Sequence, residues 1–348
     1  MKRAGYTLLI AGVVAMGITV QSCVADAMPS PKVHAFYYPW YGNPETDGHW
    51  VHWDYAAEVR EGPPQPHIPP EQIGANFYPA IGLYSSNSPQ DLATQMRQLR
   101  QAGIGVIASS WWGQGDYSDK AVPQLLDAAA AQGIQVCFHL EPFAGRDHPK
   151  AAPYRDAIVY LIDTYGSHPA FYRYEGKPLF YVYDSYLVAD SEWASIFAPG
   201  GANTIRGTAH DAVCIGQFVK NGDGQSMLAG HFDGFYTYFA TDGFTHGSTL
   251  ANWPAMAKFA REHGLLFIPS VGPGYDDTRI RPWNGVNRRG REDGAYYDRE
   301  WQAALDVQPA IVSITSWNEW HEGTQIEPAV PKTTLEYTYL DYAPNSPE

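Results

Sequence analysis

Two carboxylates three residues apart, Glu319 and Glu322, are the side chains of this sequence best suited to chemistry. They lie in the segment WNEWHEGTQ at 317–325, together with the indoles of Trp317 and Trp320. A reaction that needs one protonated and one ionised acid, such as cleavage of a glycosidic bond, uses a close pair of this kind. The alternative is a solvated turn with incidental acids. The two indoles argue against that alternative, because tryptophan seldom flanks surface acids.

The carboxylates follow an apolar run at 310–316, which the pattern predicts to be a buried parallel strand. Strand-like and helix-like runs alternate along the chain and predict a single (β/α)8 TIM barrel over residues 33–348. The predicted strands are 33–38, 104–110, 134–140, 178–183, 213–218, 232–239, 265–270 and 310–316, and the predicted helices are 89–102, 119–132, 152–165, 191–197, 252–263 and 294–307. Active sites of such barrels form where the strands end, which is where Glu319 and Glu322 fall.

Two of the predicted connections are long, 41–87 after strand one and 271–293 after strand seven. Loops of this length in a compact domain are usually functional, and both follow strand ends. After strand eight no eighth helix is recognisable, and Pro328, Pro331 and Pro344 interrupt the chain. A barrel without that helix would expose an apolar strip, so we expect the sequence to be truncated at its C-terminus.

Composition excludes some classes of function and favours others. The 348 residues carry a net charge of −14, which argues against binding to nucleic acid or to an anionic membrane surface. Hydrophobic residues make up 45%, enough for a large core. The chain also has 24 Tyr, 14 Phe and 11 Trp, whose flat faces suit sugar rings, although core packing accounts for most aromatic residues in proteins.

Residues 1–27 have the pattern of an export signal. Lys2 and Arg3 precede an apolar run at 8–20 that is short for a bilayer span. Two processing sites compete: the sequence at 20–23 resembles a bacterial lipobox that would lipidate Cys23, and 25–27 resembles an ordinary signal-peptidase site. We favour the lipoprotein signal and expect a bacterial cell-envelope protein, or otherwise a periplasmic or secreted one.

Residues at the ends of the other predicted strands are rich in aromatic rings. Tyr38 ends strand one, Trp112 strand two and Tyr238 strand six, while Glu141 follows strand three. Because these ends meet at one rim of a barrel, they predict a sugar-binding bowl around three carboxylates. The alternatives are core packing for Tyr38 and Tyr238, and a structural ion pair for Glu141.

Taken together, these segments resemble glycoside hydrolase family 99, the endo-α-1,2-mannosidases and endo-α-1,2-mannanases, in its bacterial form. The matching segments are 34–44, 180–186, 235–241, 267–275 and 318–327. The resemblance implies a retaining, endo-acting hydrolase of internal α-1,2-mannosidic bonds in mannan or high-mannose glycans. It also implies that no metal or other cofactor is needed, and we expect a monomer.

The resemblance further implies a mechanism through a 1,2-anhydro sugar. Glu319 would be the base at the sugar 2-hydroxyl, and Glu322 would protonate the leaving group and later activate water. Bacterial mannan-degrading members carry Trp where animal members tend to carry Tyr, so Trp112 predicts a preference for mannosyl over glucosyl beyond the cleaved mannose. The substrate-binding residues would be Tyr38, Trp112, Glu141, Tyr238, Trp283, Asn284, Trp320 and His321.

Three alternatives remain open from the residues themselves. Glu319 could be the covalent nucleophile of an orthodox retaining glycosidase. The pairs His139 with Glu141 and His321 with Glu322 could hold a metal ion in a metal-dependent barrel hydrolase. The chain could also be a surface glycan-binding protein without activity, although both carboxylates are retained.

Overall fold

The strands of the computed structural model form one sheet that curls into a barrel, and the structure describes residues 28–147 and 149–342. Pairing runs in the order β8-β7-β6-β5-β3-β2-β1-β10-β9, with every neighbour in this order parallel. The strands are β1 (Ser30–Tyr37), β2 (Ile104–Trp111), β3 (Gln135–Leu140), β4 (Arg173–Tyr174), β5 (Lys177–Val182), β6 (Val213–Gln217), β7 (Gly234–Tyr236), β8 (Leu266–Ile268), β9 (Ser270–Val271) and β10 (Val312–Ile314).

The barrel is closed by two short strands that together occupy one of its strand positions. Each strand position of the barrel is called a stave below. β8 pairs with β7, β9 pairs with β10, and only Pro269 separates β8 from β9. Proline has no N–H to donate, so it interrupts the ladder without ending the stave. Counted this way, the described residues form eight staves. The predicted (β/α)8 TIM barrel is confirmed.

Helices follow most staves; all but the short α1, which lies in the loop after β1 and buries no residue, pack on the outside of the barrel. They are α1 (Pro44–Asp47), α2 (Pro89–Gln101), α3 (Tyr117–Ala131), α4 (Ala152–Tyr165), α5 (Asp190–Phe197), α6 (Asp223–Ala229), α7 (Trp253–His263) and α8 (Ala295–Asp306). The start of α2 shows why the sequence folds as it does: the Ser88 hydroxyl accepts the Asp91 N–H at 3.3 Å, and Pro89 occupies the first turn.

Side chains of successive strand residues enter different layers of the core. On β1, Phe36 packs inside the barrel, whereas Tyr37 faces outward and donates to Gln95 of α2 at 2.6 Å. All residues of β2 are buried, because helices cover one face and the barrel interior covers the other. The strands therefore appear in the sequence as continuous apolar runs because both of their faces are buried, as expected of a parallel sheet.

After β10 the chain runs to Tyr342 without a helix or strand among the described residues. Between α8 and α2 lies an open groove of about 510 Å³, lined by Tyr297, Trp301 and Trp317. In a (β/α)8 barrel, the helix that follows the eighth strand packs between the helices that follow the seventh and the first strand, which is where this groove lies. The expected C-terminal truncation stays a prediction. The predicted export signal at 1–27, including Cys23, lies outside the described residues. Within them, each helix is too short or too polar to cross a membrane.

Candidate active site

The two glutamates lie on a tight turn that leaves β10 and folds back on itself. The Glu319 N–H donates to the Ser316 hydroxyl at 2.8 Å, and the Gly323 N–H donates to the Trp320 carbonyl at 3.2 Å. The Ser316 N–H reaches across the turn to the Thr324 carbonyl at 2.9 Å. These bonds hold both carboxylates at the C-terminal rim of the barrel.

Gly323 makes the fold-back possible. Its φ of +64° lies in the left-handed region, and an added Cβ would come within 2.8 Å of the Asp276 carbonyl oxygen. The Asp276 N–H donates to the Glu322 carbonyl at 2.8 Å. The turn after stave eight is thereby fixed against the long loop after stave seven.

A buried polar network supports the turn from behind. Asn318 clamps the end of β1, accepting the Tyr38 N–H at 2.7 Å and donating to the Tyr38 carbonyl at 3.0 Å. Trp320 is fully buried, and its indole N–H donates to Glu327 at 3.0 Å and to Tyr84 at 3.2 Å. Trp320 therefore packs behind the site, which differs from the substrate contact expected of it.

The two carboxylates have different surroundings. Glu319 is 4% exposed, whereas 26% of the Glu322 side chain is exposed. Burial, followed by the charge of Glu322, raises the pKa of Glu319 well above its usual value, opposed by the His321 N–H. Burial also raises the pKa of Glu322, with Arg281 opposing the rise and Asp277 adding to it. Their mutual repulsion disfavours ionisation of both carboxyls at once.

His321 lies beside Glu319 as a neutral ring. Burial, followed by the charge of His52, lowers the pKa of His321 well below its usual value. The ring Nδ1 of His321 is 3.8 Å from Glu319 Oε1, whereas the main-chain N–H of His321 donates to the same oxygen at 3.1 Å. The main chain rather than a charged ring thus holds Glu319.

Glu141 is the third carboxylate at the rim, and it is 4% exposed. Its Oε1 accepts the Ser110 hydroxyl at 2.8 Å and lies 3.1 Å from His139 Nδ1. The other ring nitrogen of His139 is 2.7 Å from the Tyr236 hydroxyl inside the barrel. This network fixes the orientation of the Glu141 carboxylate.

Tyr38 and Tyr238 face each other across the barrel mouth, with their hydroxyl oxygens 2.5 Å apart. Tyr238 has a φ of +59°, a left-handed conformation that a non-glycine residue rarely adopts. The main-chain N–H of Tyr238 donates to the Ser270 hydroxyl at 2.7 Å, and its main-chain carbonyl accepts the Thr315 hydroxyl at 2.5 Å. Strained backbone of this kind is concentrated at functional sites.

A cavity of about 390 Å³ opens beside the pair of glutamates. Trp283 is 43% exposed at its edge, and Asn284 is nearly buried in its wall. The lining residues are Tyr183, Tyr238, Phe239, Ala240, Thr241, Phe244, Tyr275, Arg281, Trp283, Asn284, Asn287, Thr315, Glu322 and Thr324. The predicted residues Tyr238, Trp283, Asn284 and Glu322 thus meet in one cavity whose wall combines aromatic and polar side chains.

Trp112 lies farther along the rim and joins this site through a series of rings. Its ring centroid is 6.5 Å from that of Trp40, which is 4.6 Å from that of Tyr38. The main-chain N–H of Trp112 donates to the Ser118 hydroxyl at 3.0 Å. Trp112 does not line the cavity that contains Glu322, and it is connected to Tyr238 in the wall of that cavity through Trp40 and Tyr38.

Three further residues of the loop after stave seven belong to the site. Arg281, which the sequence placed in a polar loop expected to shape the leaving-group side, and Tyr275, at the predicted end of strand seven, line the cavity. Asp277, for which the sequence predicted no role, supports the cavity from below without exposure. The signal for them was the composition of the loop at 271–293, where a pair of acids and several arginines follow a strand end. Within residues 28–147 and 149–342, no group of three His, Cys, Asp or Glu side chains is arranged to hold a metal ion.

A model of glycosyl hydrolase family 99 matches residues 30–348 of the chain. The chain belongs to this family. A human glycoprotein endo-alpha-1,2-mannosidase-like protein is 50% identical over 333 residues, covering 90% of this chain and 72% of that protein. The rat glycoprotein endo-alpha-1,2-mannosidase is 46% identical, covering 90% of this chain and 71% of that enzyme.

A solved structure supports membership of family 99 independently. The GH99 endo-alpha-mannosidase from Bacteroides thetaiotaomicron superposes with a TM-score of 0.87 at 48% identity, covering 90% of this chain and 93% of that one. The family resemblance read from the motifs and the assignment of the chain to the glycosidases are confirmed.

Proposed function

We propose that this protein is a retaining, endo-acting glycosidase that cleaves internal α-1,2-mannosidic bonds of mannan or high-mannose glycans. The observation that carries the proposal is the pair Glu319 and Glu322 on one turn, with Glu319 buried and Glu322 facing an aromatic cavity. The names of the relatives, endo-alpha-1,2-mannosidases among them, support the choice of bond.

The proposed reaction proceeds through a 1,2-anhydro sugar. In an α-mannoside the 2-oxygen and the leaving group are both axial and lie on opposite faces, so the 2-oxygen can attack the anomeric carbon from behind. Glu319 accepts the proton of the 2-hydroxyl while Glu322 gives its proton to the departing oxygen. Water then opens the three-membered ring: Glu322 takes a proton from the water, and Glu319 returns a proton to the 2-oxygen. Both carboxyls end in their starting states.

The different surroundings of the carboxylates support these two roles. Glu322 lines the cavity, where a leaving group and later a water molecule can reach it. Glu319 is held by its own main-chain N–H, which donates to the Ser316 hydroxyl, and by the main-chain N–H of His321, which donates to its carboxylate. It needs to reach only one hydroxyl of the bound mannose. The reaction must begin with Glu322 protonated, and burial favours that state by raising its pKa, against the opposing charge of Arg281.

The test compares two isosteric variants on substrates with poor and good leaving groups. Glu322→Gln should lose about 10²–10⁴-fold in kcat/KM on a glycan, and an activated aryl leaving group should restore part of the loss. Glu319→Gln should be crippled on both substrates, because the 2-hydroxyl must be deprotonated whatever departs. Equal loss on both substrates for Glu322→Gln, or strong aryl rescue of Glu319→Gln, would contradict the proposal.

A fluorinated donor separates this mechanism from a covalent one. A 2-fluoro mannosyl donor lacks the participating hydroxyl, so it should leave the enzyme unlabelled. Accumulation of a glycosyl ester on Glu319, detected by peptide mass spectrometry, would support the covalent alternative.

We further propose that the protein is exported and acts on glycan outside the cytoplasm. The basic residues and apolar run within 1–27 support this proposal. Labelling with a palmitate analogue should depend on Cys23 if the lipoprotein signal is used, and Cys23→Ala should abolish the label. A wild-type protein without label would leave ordinary signal cleavage as the route, and equal labelling of the variant would mean that the lipid is not on Cys23.

A further inference from the structure

Asp277 is a carboxylate sealed beneath the cavity, with no exposed surface. Its Oδ2 accepts three donors: the Tyr275 hydroxyl at 2.9 Å, Arg281 Nη1 at 3.1 Å and Asn284 Nδ2 at 2.8 Å. Its backbone carbonyl accepts the Arg281 N–H at 2.7 Å. Asp277 therefore holds Arg281 both by the main chain and by the guanidinium.

The same guanidinium nitrogen also faces the proposed proton donor. Arg281 Nη1 lies 3.4 Å from Glu322 Oε1, so one nitrogen stands between a sealed carboxylate and one that is open to the cavity. The main chain keeps this spacing, because the Asp276 N–H donates to the Glu322 carbonyl at 2.8 Å.

This arrangement creates an electrostatic conflict. Burial alone would lower the pKa of Arg281. The nearby Glu322, followed by Tyr275 and Asp277, outweighs burial and raises this pKa above its usual value, so the guanidinium stays charged. A fixed positive charge beside Glu322 favours the ionised carboxylate, yet a proton donor must begin the reaction protonated.

Asp277 supplies the opposing charge. Only one of its oxygens is engaged by donors; Oδ1 is buried and has no hydrogen-bond partner in the described part of the chain. Because no donor binds Oδ1, the carboxylate is not fully screened by hydrogen bonds, and in a site of low polarity its negative charge acts on Glu322 as well as on Arg281. An ion pair that only stabilised the loop would not need to lie within reach of the acid.

We propose that Asp277 is a positioning residue, which latches Arg281 in the site and offsets its charge so that Glu322 keeps the proton it gives to the leaving group. This inference rests on the role proposed above for Glu322. The other titratable or charged groups that face Glu322 are Tyr38, Glu141, Tyr183, Tyr238, Tyr275 and Glu319.

The test is the pH profile of kcat/KM on a glycan substrate, whose alkaline limb reports the proton donor of the free enzyme. Asp277→Asn leaves Arg281 without its buried counter-charge and with only the more exposed Glu58, 3.7 Å from its Nε, so the limb should move by about one pH unit to lower pH. Arg281→Gln removes the positive charge, so the limb should move to higher pH. The double variant removes both charges, and its limb should return toward that of the wild type.

Asp276 provides the matched control on the same loop. Its carboxylate is bound to Thr278 at 2.5 Å and to Arg288 at 2.9 Å rather than to Arg281. Asp276→Asn should leave the alkaline limb in place. Circular dichroism and Tm show whether each variant is folded, and if Asp277→Asn does not fold, Arg281→Gln and the double variant carry the test.

The outcomes separate this inference from the role of Glu322. The inference is overturned if Asp277→Asn lowers the rate without moving the limb, if both single variants move it in the same direction, or if Asp276→Asn moves it as far. The proposed role of Glu322 fails instead if Glu322→Gln, assayed with an aryl substrate, keeps the alkaline limb. That limb would then belong to another group.

Discussion

Glu327 is a buried carboxylate behind the catalytic turn, and its titration should be visible in the stability of the fold. It is 1% exposed and accepts Gln95 at 2.8 Å, Tyr84 at 2.9 Å and the Trp320 indole at 3.0 Å. Burial raises its pKa from 4.5 to about 7, against the opposing effect of these hydrogen bonds. The perturbation that isolates this group is Glu327→Gln.

The sign of the effect follows from where the proton binds. Between about pH 4.5 and pH 7 the folded protein binds a proton at Glu327 that the unfolded chain has lost, so the free energy of unfolding falls as the pH rises. At about 1.4 kcal/mol for each pH unit, the wild-type protein should lose roughly 3 kcal/mol over this range through Glu327 alone. Glu327→Gln cannot lose a proton there, so its stability should lack this decrease.

The assay is urea unfolding of both proteins at half-unit intervals between pH 4.5 and pH 8. The free energy of unfolding of the wild type minus that of the variant should fall by roughly 3 kcal/mol across the range. Other raised carboxyls, such as Glu300 with its pKa of about 8, occur in both proteins and cancel in the difference. Two parallel curves would refute the reasoning and would mean that Glu327 stays ionised in the fold.

Two further predictions concern the shape of the site. Gly323→Ala should destabilise the protein by about 1–2 kcal/mol from its left-handed φ alone, and kcat/KM should fall because Glu322 is displaced. The control in chemical unfolding and kinetics is Gly290→Ala, where an added Cβ meets nothing within 4 Å. Trp112→Tyr should shift the ratio of kcat/KM several-fold from α-1,3-mannosyl toward α-1,3-glucosyl substrates, since one hydrogen bond or apolar contact contributes about 1 kcal/mol. An unchanged ratio would leave Trp112 as a packing residue.

Much of the barrel could be predicted because its staves are buried on both faces and appear as apolar runs. The misses have local causes. Helix α6 buries only Gly224 and Met227, so it has no apolar periodicity to detect. The sixth predicted strand extended to residue 239, but the ladder ends at Tyr236 because Tyr238 turns left-handed at the rim. The aromatic residues after Tyr236 continue the strand-like pattern in the sequence, but Tyr238 and Phe239 line the cavity instead of pairing in the sheet.

The rim positions could be predicted as well, but the direction of each side chain could not. Residues after different strands converge because parallel strands end on one side, which is why Tyr238 and Glu322 share a cavity. Trp320 lies between the two glutamates in sequence and still points away from the site, into bonds with Tyr84 and Glu327. Its partners lie far along the chain or beyond the turn, where no periodic pattern links them.

The spacing of the two glutamates acquires its meaning from this turn. Two residues separated by three positions would share a face on a helix, and both carboxylates would then have similar surroundings. Here the left-handed Gly323 and the bond from Asp276 direct Glu322 toward the cavity, while the Ser316 hydroxyl and the His321 N–H hold Glu319 inside. A pair that must divide one proton between two tasks needs this asymmetry, since identical surroundings would give neither carboxyl a preference for acid or base. The arginine beside Glu322 and the sealed carboxylate beneath it refine the same asymmetry from the neighbouring loop.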